Sequence, residues 1–576
     1  MREPIPTHDP SLPRRHADFE NVLDALEYAA KGIRGFNFYS ARGELECPLT
    51  FTEMCERAQE IGRRLVGFGA TKGERVALIA ETSDDFVCYF LGCQYAGLLP
   101  VPLPLPTSFG GRDGYTQQLH QQMKSCGASY AFSASQMLPL LDEAAEGLKM
   151  NFIGTADMFE AQTADVALDA IVLERPQSDD IAYLQYSSGS TRFPHGVAVS
   201  HKSLMANCYG ISYDGVHTTD DDRCVSWLPF YHDMGLVGCF LACLTSQVTT
   251  DFLRTEDFAR RPLLWLKLIS ENRGTISYSP TFGYEICTRR FKPSDIADLD
   301  LSSWRVAGIG GDMIRAEVLR SFYDAFKDAG FTEKTFVPSY GLAETTLAVS
   351  FTPPQQGFET ELVDERVLSG EIKELNGEIQ DGVNYREVIN CGIPLPQYDV
   401  EIWDENGNPL GERKIGRVCV KGPSVMVGYY NDDEATKACL NDGWLDTGDM
   451  GYISNGAIYI IGRLKDLIII NGRNHWPQDI EWAVEQLPEL RSGDSAAISI
   501  PGDNNEEVPA ILVQCRIRDE KSRAELASRI RDMVQSLVGS SSKVVLLPPR
   551  TLPRTSSGKL SRTKARQQYL AGKLVS

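Results

Sequence analysis

The stretch that most constrains this chain is YSSGSTRFPHG, Tyr186 to Gly196, which follows directly on the apolar run IAYLQY. An apolar run of that length reads as a strand. The Ser/Gly/Thr cluster after it reads as a small-residue turn, whose backbone amides and hydroxyls can surround a polyphosphate. A Ser/Gly-rich surface turn has the same composition, so this window alone leaves both readings open. It is not a Walker loop, because the GxxxxGK(S/T) pattern is absent and no lysine lies within the turn.

The 576 residues exceed one ordinary domain, and a large domain with a smaller companion is expected. A formal net charge of −21 argues against non-specific nucleic-acid binding, which needs concentrated positive charge. Residues Met1 to Phe19 carry prolines and charges without the apolar core of a secretory leader. No uninterrupted apolar stretch reaches bilayer length, so no stable membrane insertion is expected. The 14 cysteines, among them Cys47, Cys93, Cys224 and Cys287, lie singly without metal-ligand spacing. They read as buried, reduced thiols of a cytoplasmic protein.

Leu49 to Phe68 has helical apolar spacing with Thr50 or Thr52 as its cap. ERVALIA reads as a strand, Asp84 to Ala96 as a helix, and LLPVPLPLP as rigid extended chain, since each proline fixes φ and removes a donor. Tyr115 to Gly127 and SYAFSAS repeat the alternation, which is that of an α/β layer. Tyr231, His232 and Asp233 fall where an apolar strand gives way to a turn and a helix. Tyr278, Phe282 and Tyr284 include alternating positions that suit either a cavity wall or ordinary core packing.

With YSSGSTR, the segments YHDMGL, RVAGIGGDMI, VPSYGLAETT, WLDTGDMGYI, GRLKD and TSSGK resemble, in order, the motifs of the adenylate-forming superfamily of acyl-activating, luciferase-like and peptide-synthetase adenylation enzymes. Those enzymes usually carry glycine and lysine where this chain has Arg192 and His195. The resemblance covers almost the whole chain. It implies a large multi-subdomain α/β adenylation domain over residues 1–462, a hinge at 463–465 centred on Lys465, and a small mobile α+β domain over 466–576.

The resemblance also implies the site. Ser187, Ser188, Gly189, Ser190 and Thr191 hold ATP phosphates, Gly310 and Gly311 flank adenine, and Tyr340 stacks on it. Glu344 carries Mg²⁺, which prefers carboxylate and phosphate oxygens. Thr345 gives a hydroxyl to phosphate, and Asp449 with Arg463 takes the ribose. His232 stands beside the acyl pocket and phosphates, and Lys559 binds the substrate carboxylate and the α-phosphate.

The connection from Thr346 to Gly392 is longer than in ordinary relatives by roughly 20 to 30 residues, a length typical of lids, binding loops or disorder. With SSGSTR and YHDMGL it resembles the fatty acyl-AMP ligases. These make acyl-adenylate from a fatty acid and pass it to a phosphopantetheinylated acyl carrier protein, commonly feeding polyketide or nonribosomal peptide synthesis. Arg550, Arg554 and Arg562 are candidates for the carrier's docking patch. The alternatives are an acyl-CoA ligase, which differs only in acceptor, and an amino-acid adenylation domain, whose amine-recognising Asp is missing from ISYSPTFGYE. A non-enzymatic binder is disfavoured by the presence of Glu344, Asp449 and Lys559.

Overall fold

The computed structural model describes residues 3–106, 111–187, 195–372, 375, 379–470, 473–502, 507–555 and 558–574. The expected helix forms over Phe51–Gly67. Thr50 caps it in a reciprocal box with Glu53, an arrangement worth about 1 kcal/mol.

A nine-stranded sheet forms the centre. Its order is Ile393–Pro394, Ala348–Phe351, Phe336–Gly341, Val306–Ile309, Ile276–Ser279, Arg223–Ser226, Thr249–Leu253, Gly35–Tyr39 and Leu45–Thr50. The run from Phe336–Gly341 to Gly35–Tyr39 is parallel, with antiparallel pairing at both edges. These strands are nearly all buried on both faces, polar residues such as Asn37, Asp251 and Ser277 included.

A second, four-stranded parallel sheet has the order Leu99–Leu103, Arg75–Ile79, Ala128–Phe132, Phe152–Gly154. The proline-rich segment is therefore a strand, paired throughout with Arg75–Ile79. Pro100 and Pro102 alternate with Leu99, Val101 and Leu103, so both missing N–H groups fall on the edge facing away from the partner. The sheet ends there. The Ile181–Tyr186 strand packs beside that edge but bonds instead to Gly196–Ser200.

The long connection contributes a hairpin. Thr360–Asp364 pairs antiparallel with Tyr385–Ile389, and Glu365–Leu368 forms one helical turn. The C-terminal part is a smaller α+β unit, a sheet of Ser495–Pro501, Glu507–Gln514 and Lys543–Leu547 packed with helices Pro477–Glu485, Glu520–Val538 and Arg562–Leu570. Among the described residues, no helix is long and apolar enough to cross a membrane. All fourteen cysteines are free, and twelve are buried.

Candidate functional site

One cavity gathers most of the motif residues. It is lined at its polar end by Gln185 to Ser187, His232, Gly310, Gly311, Tyr340, Glu344, Arg463 and Lys559. The strand Ile181–Tyr186 delivers Ser187, whose amide donates to the His195 carbonyl at 3.2 Å and so closes the base of the loop. Ser188, Gly189, Ser190 and Thr191 lie outside the described residues. His195 turns away from the cavity toward Asp432, with Nδ1 3.0 Å from the carboxylate and its ring against Tyr429. This residue, standing where relatives usually have lysine, is thus committed to a neighbour.

Gly310 and Gly311 follow the end of the Val306–Ile309 strand. Gly311 sits at φ 76°, a conformation open to glycine and strained for other residues. Tyr340 is the penultimate residue of the next strand, and its hydroxyl donates to Asp449 Oδ2 at 2.8 Å. Asp449 Oδ1 lies 3.1 Å from Arg463 Nε, which sits in register across the hairpin of Trp444–Ser454 and Ala457–Arg463. The Asp449 carboxylate pushes the Arg463 guanidinium above its ordinary pKa, against the effect of burial. Asp449 itself lies behind the cavity wall and reaches it through Tyr340 and Arg463.

Glu344 accepts from the Tyr429 hydroxyl through Oε1 at 2.9 Å, and it lines the cavity. Among the described residues no three acidic, histidine or cysteine side chains form a metal cluster. A cation held here would therefore complete its shell from substrate oxygens, which suits Mg²⁺ rather than a protein-only cage.

Lys559 enters from the C-terminal unit on a turn closed by Thr555 N to Lys559 O at 2.8 Å. Arg554 donates to the Gly558 carbonyl at 2.9 Å and the Gly493 carbonyl at 2.7 Å. Arg562 grips Glu481 at 2.6 and 2.8 Å and Asp466 at 2.9 Å. Arg554 thus braces the lysine turn, and Arg562 is committed to two carboxylates of its own unit. This corrects their assignment to a docking patch, and leaves Arg550 exposed.

Thr345 also departs from its expected role. The Ala343–Thr345 turn rotates it into the core, where it is fully buried and its hydroxyl donates to the Leu342 carbonyl at 2.9 Å. Its hydroxyl is spent on the turn rather than offered to a phosphate. Lys465 is exposed in the short turn after Arg463.

The opposite end of the cavity is apolar and follows the face of the central sheet. Cys224 and Ile276 are register partners on adjacent strands, and Tyr278 lies two residues along, its ring over Gly308 where a Cβ would collide at 2.0 Å. Ile211, Met234, Gly238, Cys239, Ala242 and Cys243 form the facing wall. This wall includes two segments wound i→i+5, Gly210–Gly215 and Met234–Leu241, a rare geometry found mostly at functional sites. Of the three aromatics weighed from the sequence, only Tyr278 lines the cavity. Phe282 and Tyr284 sit on the helix Thr281–Arg290, which breaks the alternation, and Tyr284 packs in the core against Trp265 and Phe322. The wall residues Cys239 and Cys243, four apart, carried the one readable signal, that of a buried helical face.

A family model described as AMP-binding enzyme matches residues 38–430. A Caulobacter vibrioides (strain NA1000 / CB15N) protein provisionally named an acyl-CoA synthetase is 46% identical over 561 residues, covering 97% of this chain and 96% of its own length. The medium-chain-fatty-acid–acyl-carrier-protein ligase JamA of Moorena producens (strain JHB) is 32% identical over 593 residues, covering 97% and 96%. A solved structure from work on fatty acyl-adenylate ligases of E. coli and L. pneumophila matches with a TM-score of 0.92 at 45% identity, covering 97% of this chain and 99% of the other.

Proposed function

Because this chain belongs to the AMP-binding enzyme family, we propose that it activates a medium- or long-chain fatty acid with ATP, releases pyrophosphate, and passes the acyl group to the phosphopantetheine thiol of an acyl carrier protein. The observation that carries the reading is that one cavity joins the nucleotide-type groups to an apolar channel along the sheet. A fatty acid laid in that channel brings its carboxylate toward the polar end. There one carboxylate oxygen attacks the α-phosphorus of ATP, the bond to the bridging oxygen breaks, and pyrophosphate leaves. Lys559 offsets the charge that gathers on the phosphate in the transition state. Arg463 and Tyr340 would hold the nucleoside, with Asp449 fixing both side chains.

Glu344 would hold Mg²⁺, which when bound neutralises phosphate charge and helps pyrophosphate depart. The Tyr429 hydroxyl fixes the rotamer of that carboxylate. The adenylate is a reactive anhydride, so closure of the cavity by the Lys559 turn also serves to exclude water.

In this reading residues 1–462 form the adenylation domain, and residues 466–576 turn about Lys465 between the two steps. The long connection then acts as a tether. Its Leu368 carbonyl accepts from the Trp476 indole at 3.2 Å, its Ser369 carbonyl from the Asn474 amide at 3.0 Å, and its Arg386 pairs with Asp479 at 3.2 Å. Val363, Val367 and Leu368 pack with Tyr452, Tyr459 and Trp476 in one apolar cluster. A small domain held this way has fewer arrangements in which to admit coenzyme A. If a folded protein shortened within residues 355–380 gains no thioester formation with coenzyme A, the tether is not the sole barrier.

The second reading, thioester formation with coenzyme A, is favoured by the name of the C. vibrioides relative. A mass-resolved reaction with ATP, Mg²⁺ and a panel of fatty acids, run with coenzyme A or with phosphopantetheinylated carrier protein, separates the two. Acyl-adenylate that persists with coenzyme A but yields acyl-carrier thioester supports the main reading. Rapid acyl-CoA formation replaces it with the second.

A further inference from the structure

The cavity contains a histidine–carboxylate pair for which acid activation has no proton to move. The fatty acid attacks as a carboxylate and pyrophosphate leaves as an anion. His232 and Asp233 are consecutive residues at the head of the Met234–Leu241 segment. Asp233 Oδ1 lies 2.7 Å from His232 Nδ1 and accepts from the Met234 amide at 2.8 Å. That amide passes Nδ1 at 3.3 Å, but the nearer carboxylate takes it.

In the neutral ring a carboxylate at this distance favours the proton on Nδ1, which makes Nε2 the acceptor. Cε1 lies 3.8 Å from the position a Cβ on Gly311 would take, and the two residues line the cavity together. Among the described residues, no hydrogen-bond partner takes Nε2.

The transfer step does have a proton to move. As sulfur bonds to the acyl carbon, the S–H bond breaks, the acyl–oxygen bond to AMP breaks, and AMP leaves with its phosphate ionised. We propose that His232 Nε2 takes the thiol proton, and that Asp233 is the positioning residue that fixes the ring tautomer and stabilises the imidazolium formed. This rests on the thiol-acceptor reading above.

The charged group facing the pair from another element is Lys559, while Glu344 and Arg463 line the same cavity. Burial works against the Asp233 carboxylate, yet His232 and Lys559 hold its pKa below the ordinary value.

The test supplies prepared dodecanoyl-adenylate to the full-length enzyme and follows single-turnover thioester formation across pH. Two acceptors are compared, pantetheine and the more acidic trifluoroethanethiol. H232N is expected to slow transfer to pantetheine on the order of 10²-fold, and to slow the acidic thiol far less, because that thiol ionises without help. D233N is expected to slow pantetheine transfer about tenfold and to move the acid limb of the profile to lower pH, since the imidazole loses its supporting charge; D233E restores both. Equal slowing of both thiols in H232N, or an unmoved limb in D233N, overturns the assignment. Should D233N not fold, the thiol comparison in H232N and H232Q decides alone. Failure of the underlying thiol-acceptor reading is seen separately, as a wild type that releases pyrophosphate from ATP and fatty acid yet acylates neither thiol.

Discussion

The polar end of the cavity draws on segments far apart in the chain, from Ser187 through Gly310, Tyr340 and Glu344 to Arg463 and Lys559. The apolar end is built from neighbouring strands of one sheet and two helical segments laid over them. At the polar end each side chain has one task and one partner, as Glu344 has Tyr429 and Tyr340 has Asp449. At the apolar end the residues share a surface, and what matters is the volume they leave. Substitutions should therefore act on the chemical step at one end and on the choice of acid at the other.

The largest expected effect is at the polar end. K559A should lower adenylate formation by about 10²–10³-fold for every acid, because it removes charge stabilisation in the transition state. Pyrophosphate release by folded K559A at near wild-type rates would break the comparison. At the apolar end G238L should act selectively. Gly238 lines the cavity, and a Cβ there would already stand 3.2 Å from Leu347. A leucine should cut kcat/KM for long acids by about 10- to 100-fold and spare short ones. A uniform loss across chain lengths would mean that Gly238 does not border the acyl path.

Y429F should raise the half-saturating Mg²⁺ concentration about tenfold by freeing the Glu344 carboxylate, as read in a magnesium titration of pyrophosphate release. Unchanged magnesium dependence would separate Glu344 from the cation. The smallest effect belongs to Y278F. The Tyr278 hydroxyl is buried and has no hydrogen-bond partner among the described residues. Its removal should leave thermal stability within about 1 kcal/mol of wild type and alter kcat/KM for saturated acids less than about twofold. A large loss would show that this hydroxyl bonds to substrate.

Much of the fold was legible because its signals are local. The Thr50–Glu53 box marks a helix start, and the apolar runs at Arg75–Ile79 and Ala128–Phe132 announce buried strands. The proline run was read as extended chain. Its place as a paired strand depends on which edge the missing donors face, and that is a property of the sheet. Phe282 and Tyr284 illustrate the same limit, since helix or strand decides whether alternate positions share a face.

The chemistry available to this protein is already written in its amino-acid order. A carboxylate at Glu344, a cation at Lys559 and glycines at 310 and 311 are covalent facts, and their order along the chain identifies the family without any coordinates. Tertiary structure decided what each group is free to do. It spends the Thr345 hydroxyl on a backbone carbonyl, turns His195 to Asp432, and buries Arg562 between Glu481 and Asp466. His195 and Arg562 find their partners far along the chain, and the space between side chains is likewise left by distant segments, so no short window of sequence contains them.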